Sequence, residues 1–428
     1  SSISFVNNQV ILDPAADLST GVEYFVTYPA GTIKSYGDKY QNDQLIYSFT
    51  SKSTTLWVWG SNWGGQLGLN EAGGPANTNH KSSPVQLPGT WSMVSGGGNS
   101  ARGIKSDGTA WVWGSTAYGQ MGLNATSTPS AGKISSPTQL GTDTTWGKAS
   151  KDFAGGYGTL HIKTDGTMWS WGHNEWGELG LNNITDYSSP TQVGTNTTWN
   201  EISGTSKHKS IAIKTDGTLW VWGDNVKGSL GINQAYPGLS GVSSPTQIGT
   251  DTTWSQVWSN GNPGSTCAAI KTDGTLWTWG RNGAFSYGAL GQNNLTDLSS
   301  PTQVGTATNW STLSSGSYGN YGEVFATKTD GTLWSWGSNQ SGGLAHNDEV
   351  RRSSPTQVPG TTWSSLELAN GRGYSIKTDS TLWSWGYNNA GNLGQNSRVY
   401  LSSPTQVGTD SNWVSIRPGT FSTFAMRS

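Results

Sequence analysis

The sequence has few of the residues that hold a chain together by covalent or ionic links. Among its 428 residues there is one cysteine, Cys267, and charged residues make up only 12%. A single cysteine excludes an internal disulfide. The formal net charge is −2, so no broad positive field attracts phosphates, and we expect no nucleic-acid partner. No apolar run approaches the roughly 18 residues of a membrane helix, so no membrane insertion is expected.

What the chain has in abundance is glycine and tryptophan, 60 and 24 residues respectively. Long helices need runs of Ala, Leu, Glu and Lys, whereas glycine, threonine and aromatic residues suit short strands joined by tight turns. The composition therefore predicts an all-β protein.

A tryptophan-rich repeat explains this composition. The motif Trp-X-Trp-Gly begins at Trp57, Trp111, Trp169, Trp220, Trp277, Trp334 and Trp383. Each copy continues with a Gly-X-Leu-Gly-like turn, a Ser-Ser-Pro segment, a further tryptophan and a last strand, which in four copies ends in Lys-Thr-Asp-Gly-Thr. Seven copies of about four short strands each predict a seven-bladed β-propeller.

Three features of the repeat predict local structure. The Asp-Gly pairs favour a two-residue turn between antiparallel strands, and Asp379-Ser380 departs from that pattern at some cost in strain. The proline of Ser-Ser-Pro lacks an amide donor, which favours an outer strand. Of the 24 tryptophans, 21 recur at three repeat positions and are the predicted core. The lysines that precede the turns are interpreted as solvated strand ends, with a basic rim for an anionic glycan as the alternative.

The two ends of the chain are expected to play different parts. The last strand, around Phe424 to Arg427, lacks a following Trp-X-Trp, so we expect it to pair with residues 56–60 and close the ring. The predicted domains are thus an N-terminal arm, 1–50, and the propeller, 51–428.

The repeat motifs resemble those of the regulator-of-chromosome-condensation family, whose members are seven-bladed propellers. The resemblance covers residues 51–428, and the wording Ser-Ser-Pro-Thr-Gln-Val-Gly-Thr is similar to tandem versions in bacterial and phage surface proteins. Residues 1–50, with Ile11-Leu12-Asp13-Pro14 and Tyr24-Phe25-Val26-Thr27, resemble the C-terminal half of a bacterial immunoglobulin-like module. They imply a β-rich arm that links the propeller to something else.

Loop variation indicates where binding takes place. Two sets of loops open on the same side of the propeller, which we call the first face. One set follows the Trp-X-Trp-Gly strands, and the other follows the strands that start at the third recurring tryptophan. These loops differ between copies, and variation marks the surface that specifies function. Aromatic residues in or beside them are the candidate binding residues, with capping of the blade ends or of the axial channel as the alternative interpretation. They are Trp63, Tyr118, Trp176, Tyr236, Trp258, Phe285, Tyr287, Tyr318 and Tyr321.

Catalytic signals are missing from the sequence. There is no Gly-X-Ser-X-Gly, no phosphate-binding loop and no His-Glu-X-X-His. The histidines, His80, His161, His173, His208 and His346, occupy different repeat positions and predict no shared ring of metal ligands. We therefore assign no catalytic residue, metal ligand or cofactor and expect a protein that is not an enzyme.

Three functions follow as hypotheses. The first is an extracellular structural module of a virion or a bacterial cell-surface adhesin, part of a larger assembly, that recognises a protein or glycan through the first face. The second is an intracellular protein-interaction regulator such as a guanine-nucleotide exchange factor. The third is a polysaccharide-active enzyme that uses the propeller channel.

Overall fold

The computed structural model describes most of the chain. Its described residues are 2–6, 9–13, 23–28, 45–50, 54–71, 79–97, 99–125, 132–149, 158–204, 208–235, 238–259, 265–284, 286–315, 322–419 and 421–428. Within these ranges the secondary structure is β-strand, apart from two 3-10 turns at Val226–Gly228 and Gln340–Gly342. The prediction of an all-β protein is confirmed.

The chain divides into two compact units, Ser1–Thr54 and Thr55–Arg427. The first contains two antiparallel strand pairs, in which β1 (Ser2–Val6) pairs with β2 (Gln9–Asp13) and β3 (Glu23–Tyr28) pairs with β4 (Leu45–Thr50). The remainder of 1–53 lies outside the described residues. The resemblance of this segment to half of an immunoglobulin-like module stays a prediction.

Seven four-stranded antiparallel sheets form the second unit, and each is one blade of the predicted seven-bladed propeller, which is confirmed. Blade 1 contains β7 (Trp91–Gly97), β8 (Ser100–Lys105), β9 (Ala110–Ser115) and β10 (Lys133–Gln139). Blade 2 contains β11 (Trp146–Ala149), β12 (Gly158–Lys163), β13 (Met168–Gly172) and β14 (Tyr187–Gln192). Blade 3 contains β15 (Trp199–Gly204), β16 (Lys209–Lys214), β17 (Leu219–Asp224) and β18 (Gly241–Gln247).

The other four blades repeat this order of strands. Blade 4 contains β19 (Trp254–Ser259), β20 (Thr266–Lys271), β21 (Leu276–Gly280) and β22 (Leu298–Gln303). Blade 5 contains β23 (Trp310–Ser315), β24 (Glu323–Lys328), β25 (Leu333–Gly337) and β26 (Arg352–Val358). Blade 6 contains β27 (Glu367–Ala369), β28 (Arg372–Ile376), β29 (Leu382–Gly386) and β30 (Leu401–Gln406). Blade 7 contains β31 (Trp413–Pro418), β32 (Ser422–Arg427), β5 (Thr55–Gly60) and β6 (Lys81–Leu87).

Blade 7 joins the two ends of the propeller unit. Strand β32 pairs antiparallel with β5 from Ser422 opposite Gly60 to Arg427 opposite Thr55. Two strands of this blade therefore come from each end of the unit, and their backbone hydrogen bonds satisfy edges that would otherwise be open.

The structural blade is offset from the sequence repeat. Six blades begin at the strand that starts with the third recurring tryptophan, whereas in blade 6 Trp363 forms an isolated bridge with Lys377 and the strand begins at Glu367. Inner strands of neighbouring blades contact one another around the axis. The Trp-X-Trp-Gly strand is third in the sheet, and the Ser-Ser-Pro strand is outermost. The outer edge tolerates proline because no further strand needs its missing amide.

Neighbouring blades are joined by buried indoles. The second tryptophan of every Trp-X-Trp pair is fully buried and donates its Nε1–H to a backbone carbonyl in the first-face loop of the preceding blade, at 2.6 to 3.2 Å. The pairs are Trp59 with Asn392, Trp113 with Gln66, Trp171 with Gln120, Trp222 with Glu178, Trp279 with Ser229, Trp336 with Ala289 and Trp385 with Gly343. Each indole thus buries its apolar surface and satisfies its one donor between two blades.

The recurring lysines are structural. Lys163 Nζ lies 3.9 Å from the ring centroid of Trp169 and 4.9 Å from that of Trp146, an arrangement of cation and two aromatic faces. Equivalent lysines in blades 1 and 3 to 6 lie over the matching tryptophans, and Arg427 takes this place in blade 7. Their charged groups are therefore engaged by indoles and do not form a free basic rim.

The Asp-Gly turns need glycine for two reasons. Gly166 has a φ of +78°, and a Cβ built there would lie 2.0 Å from the carbonyl oxygen of Thr197. At the sixth copy Ser380 adopts a φ of 63°, a left-handed conformation that is strained for a residue with a side chain. The expected cost of the Asp379-Ser380 departure thus has a structural basis.

Candidate protein-binding surface

Most of the exposed large hydrophobic side chains that the structure describes lie on the first face. Among the described residues, eight large hydrophobic side chains are exposed. Seven of them follow Trp-X-Trp-Gly strands and so lie on the first face: Trp63, Trp176, Ile184, Leu295, Val350, Val399 and Tyr400. The eighth, Val414, lies beside the start of β31, at the opposite face. Exposed apolar side chains gathered on one side mark an interaction surface.

A recurring buried asparagine shapes these first-face loops. In blade 2, Asn174 follows Trp-Gly-His, and its Oδ1 accepts the Leu179 N–H at 2.9 Å while its Nδ2 donates to the Asn183 carbonyl at 3.0 Å. Matching asparagines occur in every blade except blade 1, at Asn62, Asn225, Asn282, Asn339 and Asn388, and each accepts the equivalent leucine N–H. Our sequence analysis missed this residue, although its fixed spacing after Trp-Gly was visible.

Two predicted aromatic residues, Trp63 and Trp176, are exposed on this surface. Trp63 is 52% exposed, and Lys133 of the next blade lies with its Nζ 4.6 Å from the ring centroid. Trp176 is 40% exposed, and its ring centroid lies 5.7 Å from that of His208. Both rings offer a flat apolar face to a partner, as interface tryptophans do.

Tyr118 and Tyr287 are partly buried and already have aromatic or cationic partners. The Tyr118 ring meets that of His173 edge to face, with centroids 4.9 Å apart. The guanidinium of Arg351 lies 3.7 Å from the centroid of Tyr287. Both tyrosines have positive φ values, 55° and 49°, which place them at tight turns of the first-face loops.

The prediction that Trp258 is an exposed binding residue is wrong. Trp258 is 2% exposed and lies within the inner strand β19, paired with Ala268. The equivalent residues of blades 1, 3 and 5 are serines, Ser95, Ser203 and Ser314, so here an indole fills space at the axis. The other predicted residues, Tyr236, Phe285, Tyr318 and Tyr321, lie outside the described residues.

The axial channel narrows to a cavity of about 260 Å³ lined by the inner strands of blades 3 to 7. Its charged groups include Glu367 and Arg417, which form a salt bridge between neighbouring blades. The Glu367 carboxylate is thus paired with the Arg417 guanidinium, and this ion pair links β27 to β31.

A polar cluster beside Trp176 brings together residues that the sequence keeps apart. His173 follows β13, Glu178 lies in the loop after β13, and His208 precedes β16 of the next blade. Glu178 Oε1 lies 3.1 Å from His173 Nδ1 and 3.8 Å from His208 Nδ1, while its Oε2 accepts the Trp176 N–H at 2.9 Å.

Ionisation in this cluster follows from its contacts. Burial by itself would raise the pKa of Glu178, but the two imidazoles and the backbone N–H groups outweigh it and lower the pKa to about 2. The hydrogen bond to Glu178 raises the pKa of His173, against a smaller opposing effect of burial, and Asp186 and Glu175 add to the rise. A buried carboxylate that is ionised at neutral pH thus faces two imidazoles.

Comparison with known proteins identifies the repeat. The family model of the regulator of chromosome condensation (RCC1) repeat matches residues 165–209, 330–366 and 379–426. The structure of Prp20p from Saccharomyces cerevisiae, described with its binding properties to Gsp1p and histones, superposes with a TM-score of 0.72 at 17% identity, covering 88% of this chain and 91% of that one. This chain is a seven-bladed propeller that contains RCC1 repeats, and we refer to it below as an RCC1-repeat propeller.

Curated relatives share part of their length with this RCC1-repeat propeller. The human E3 ubiquitin-protein ligase HERC2 is 26% identical over 72% of this chain and 6% of its own. The mitochondrial RCC1 domain-containing protein RUG3 of Arabidopsis thaliana is 26% identical over 69% of this chain and 64% of its own. The chain therefore spans less than two thirds of either relative.

These relatives correct the expected setting of the RCC1-repeat propeller. A mitochondrial protein and a ubiquitin ligase are intracellular, so the prediction of an extracellular, virion or cell-surface location is wrong. The composition on which it rested, rich in Ser, Thr, Asn and Gly, reflects the strands and turns of the repeat itself. Within the described residues, no helix has the length and apolar character needed to cross a membrane.

Proposed function

We propose that this RCC1-repeat propeller is a non-catalytic module of an intracellular regulator that binds a partner protein through its first face. The observation that carries the proposal is that, of the eight large hydrophobic residues exposed in the part of the chain that the structure describes, seven lie on that face. A scaffold of buried indoles and capped loops holds them in place, so they are available for binding without a change in fold.

The chemistry of the face favours a protein partner. Exposed Trp63 and Trp176 share the first face with aliphatic side chains such as Ile184. Lys133 lies over the Trp63 ring, and Glu175 directly precedes Trp176 in the chain. Aromatic anchors within a mixed polar surround are typical of protein interfaces. The net charge of −2 argues against a surface built for nucleic acid.

A comparison of variants tests the face. Wild type, the double variant Trp63→Ala/Trp176→Ala and the control Val414→Ala would each be immobilised and exposed to the same cell extract. We expect the wild type and the control to retain a shared set of proteins that the double variant loses. The control removes an exposed hydrophobic residue from the opposite face. Identical sets for all three proteins would contradict the proposal.

Guanine-nucleotide exchange is the narrower form of this proposal. A relative of the same fold, Prp20p, is described with its binding to Gsp1p, which makes a small GTPase the first partner to test. Release of labelled GDP from such a GTPase would be followed with wild type and the double variant. Acceleration by the wild type that the double variant lacks is expected if the regulator acts by exchange. An unchanged release rate would exclude exchange on that GTPase.

A further inference from the structure

His173, Glu178 and His208 meet at the seam between blades 2 and 3. One ligand atom from each residue, an imidazole nitrogen or a carboxylate oxygen, lies within 4.8 Å of the other two. The three residues come from two segments, the loop after β13 in blade 2 and the residue before β16 in blade 3, and the carboxylate contacts both rings. Two imidazoles turned towards one carboxylate oxygen are more than a single ion pair requires.

The spacing suits a small divalent cation. A tetrahedral zinc ion with ligands at about 2.1 Å separates its ligand atoms by about 3.4 Å. The observed separations of 3.1 and 3.8 Å from Glu178 Oε1 to the two Nδ1 atoms bracket that value. The separation of the two imidazole nitrogens is within 4.8 Å, so rotation of the histidine side chains would be needed to bring all three atoms around one ion.

The carboxylate is fixed before any ion binds. Glu178 is buried, and its backbone carbonyl oxygen accepts hydrogen bonds from the Trp222 indole N–H and the Ser210 hydroxyl, both at 2.8 Å. In its side chain, Oε2 accepts the backbone N–H of Trp176. Hydrogen bonds of this kind orient a ligand and strengthen a metal site. Glu175, whose Oε2 lies 3.8 Å from His173 Nε2, adds negative charge beside the cluster.

The cluster belongs to this chain and not to the repeat. At the position of Glu178 the other blades have neutral residues, namely Gln66, Gln120, Ser229, Ala289, Gly343 and Asn392. His208 adopts a φ of 83°, an uncommon conformation for a residue with a side chain. In the other blades neutral residues at this position are enough for the blades to pack. Packing alone therefore does not account for the two histidines and the glutamate.

We propose that His173, Glu178 and His208 form a binding site for a divalent transition-metal ion, with zinc as the best match. Two imidazole nitrogens and one carboxylate oxygen suit zinc, whereas magnesium and calcium prefer oxygen ligands alone. Three protein ligands leave a fourth position for water or for a group of a partner. The ion would link blades 2 and 3 beside the exposed Trp176.

Calorimetry with ZnCl₂ tests the site on the chelator-treated full chain. We expect one zinc ion per chain, and at least a tenfold loss of affinity in His208→Gln. His208 is the variant of choice because its side chain is 24% exposed and its removal leaves the buried glutamate in place. His80→Gln is the matched control, since His80 lies on another blade and accepts the Asn62 N–H at 3.0 Å. It should bind zinc as the wild type does.

Two further measurements separate ligation from folding. Zinc should raise the melting temperature of the wild type and of His80→Gln and leave that of His208→Gln unchanged. Cobalt in place of zinc should give visible absorption bands that His173→Gln and His208→Gln lose. Absence of zinc binding by the wild type, equal binding by His208→Gln, or equal loss in His80→Gln would each overturn the proposal. None of these outcomes depends on a partner, so the site can fail or hold independently of the proposed function.

Discussion

Replacing Glu323 with glutamine is expected to stabilise the protein at alkaline pH while changing its stability little in acid. Glu323 begins β24 and is fully buried, and a Cβ built on neighbouring Gly343 would lie 2.8 Å from its Oε1. Burial raises the pKa of this carboxyl to about 8 from its ordinary value of 4.5, and a backbone hydrogen bond opposes this rise only in part. Glutamine keeps the shape and removes the ionisable proton.

The size of the effect follows from proton linkage. Because the folded-state pKa is raised, the folded protein keeps the proton while the unfolded chain loses it. The contribution of the protonated carboxyl to the free energy of unfolding is therefore fully present below about pH 4.5, and it is lost as the pH rises through about 8. The loss is about 1.4 kcal/mol per pH unit, on the order of 5 kcal/mol across the whole interval. The variant escapes this loss.

Urea denaturation followed by tryptophan fluorescence measures the difference in unfolding free energy between variant and wild type at several pH values. Taking the difference cancels groups that titrate equally in both proteins. We expect it to grow from about pH 5 to about pH 8 and then to level off. Glu349→Gln, at an exposed position, is the matched control and should give a flat difference. A flat difference for Glu323→Gln would refute the reasoning.

Three further predictions concern the scaffold. Deleting Ser422–Arg427 should lower the free energy of unfolding by roughly 3–6 kcal/mol, because this strand buries Phe424 and Met426 where the ring closes. Thermal unfolding measures the loss, and an unchanged melting temperature would contradict the prediction. Lys214→Met should cost about 1–2 kcal/mol in urea denaturation because the ammonium lies 3.8 Å from the Trp220 centroid, whereas Lys214→Arg should be tolerated. Ser380→Gly should raise the free energy of unfolding by up to about 1 kcal/mol, because glycine adopts the left-handed backbone without strain. The reverse change at an equivalent turn, Gly166→Ser, should lower it, and two changes of the same sign in urea denaturation would contradict the prediction.

Much of the propeller could be predicted from the sequence because the same local patterns recur from copy to copy. Asp-Gly identified the turns, proline identified the outer strand, and the recurring tryptophans identified the core. The pairing of β32 with residues 56–60 was predicted, but the offset between repeat and blade that this pairing implies for the other six blades was not. The role of the recurring lysines was also missed, because the indoles beneath each lysine come from two different strands.

The candidate surface was predictable only in part. Trp63 and Trp176 could be placed on exposed loops because they lie outside the repeated core positions. Trp258 also lies outside the repeated core positions, but it belongs to an inner strand at the axis. Only the packing of the blades shows that its side chain is buried. Irregularity in a repeat therefore marks a departure from the pattern without saying whether the departure is buried.

The sequence by itself determined the fold class and the number of blades, because periodic strands with matched aromatic faces can bury one another only by stacking around an axis. Tertiary structure alone decided the histidine cluster. His173 and His208 occupy different repeat positions, and they meet Glu178 only because the end of one strand lies beside the start of a strand in the next blade. Periodicity shows what every blade shares, whereas proximity across the seam between two blades depends on packing.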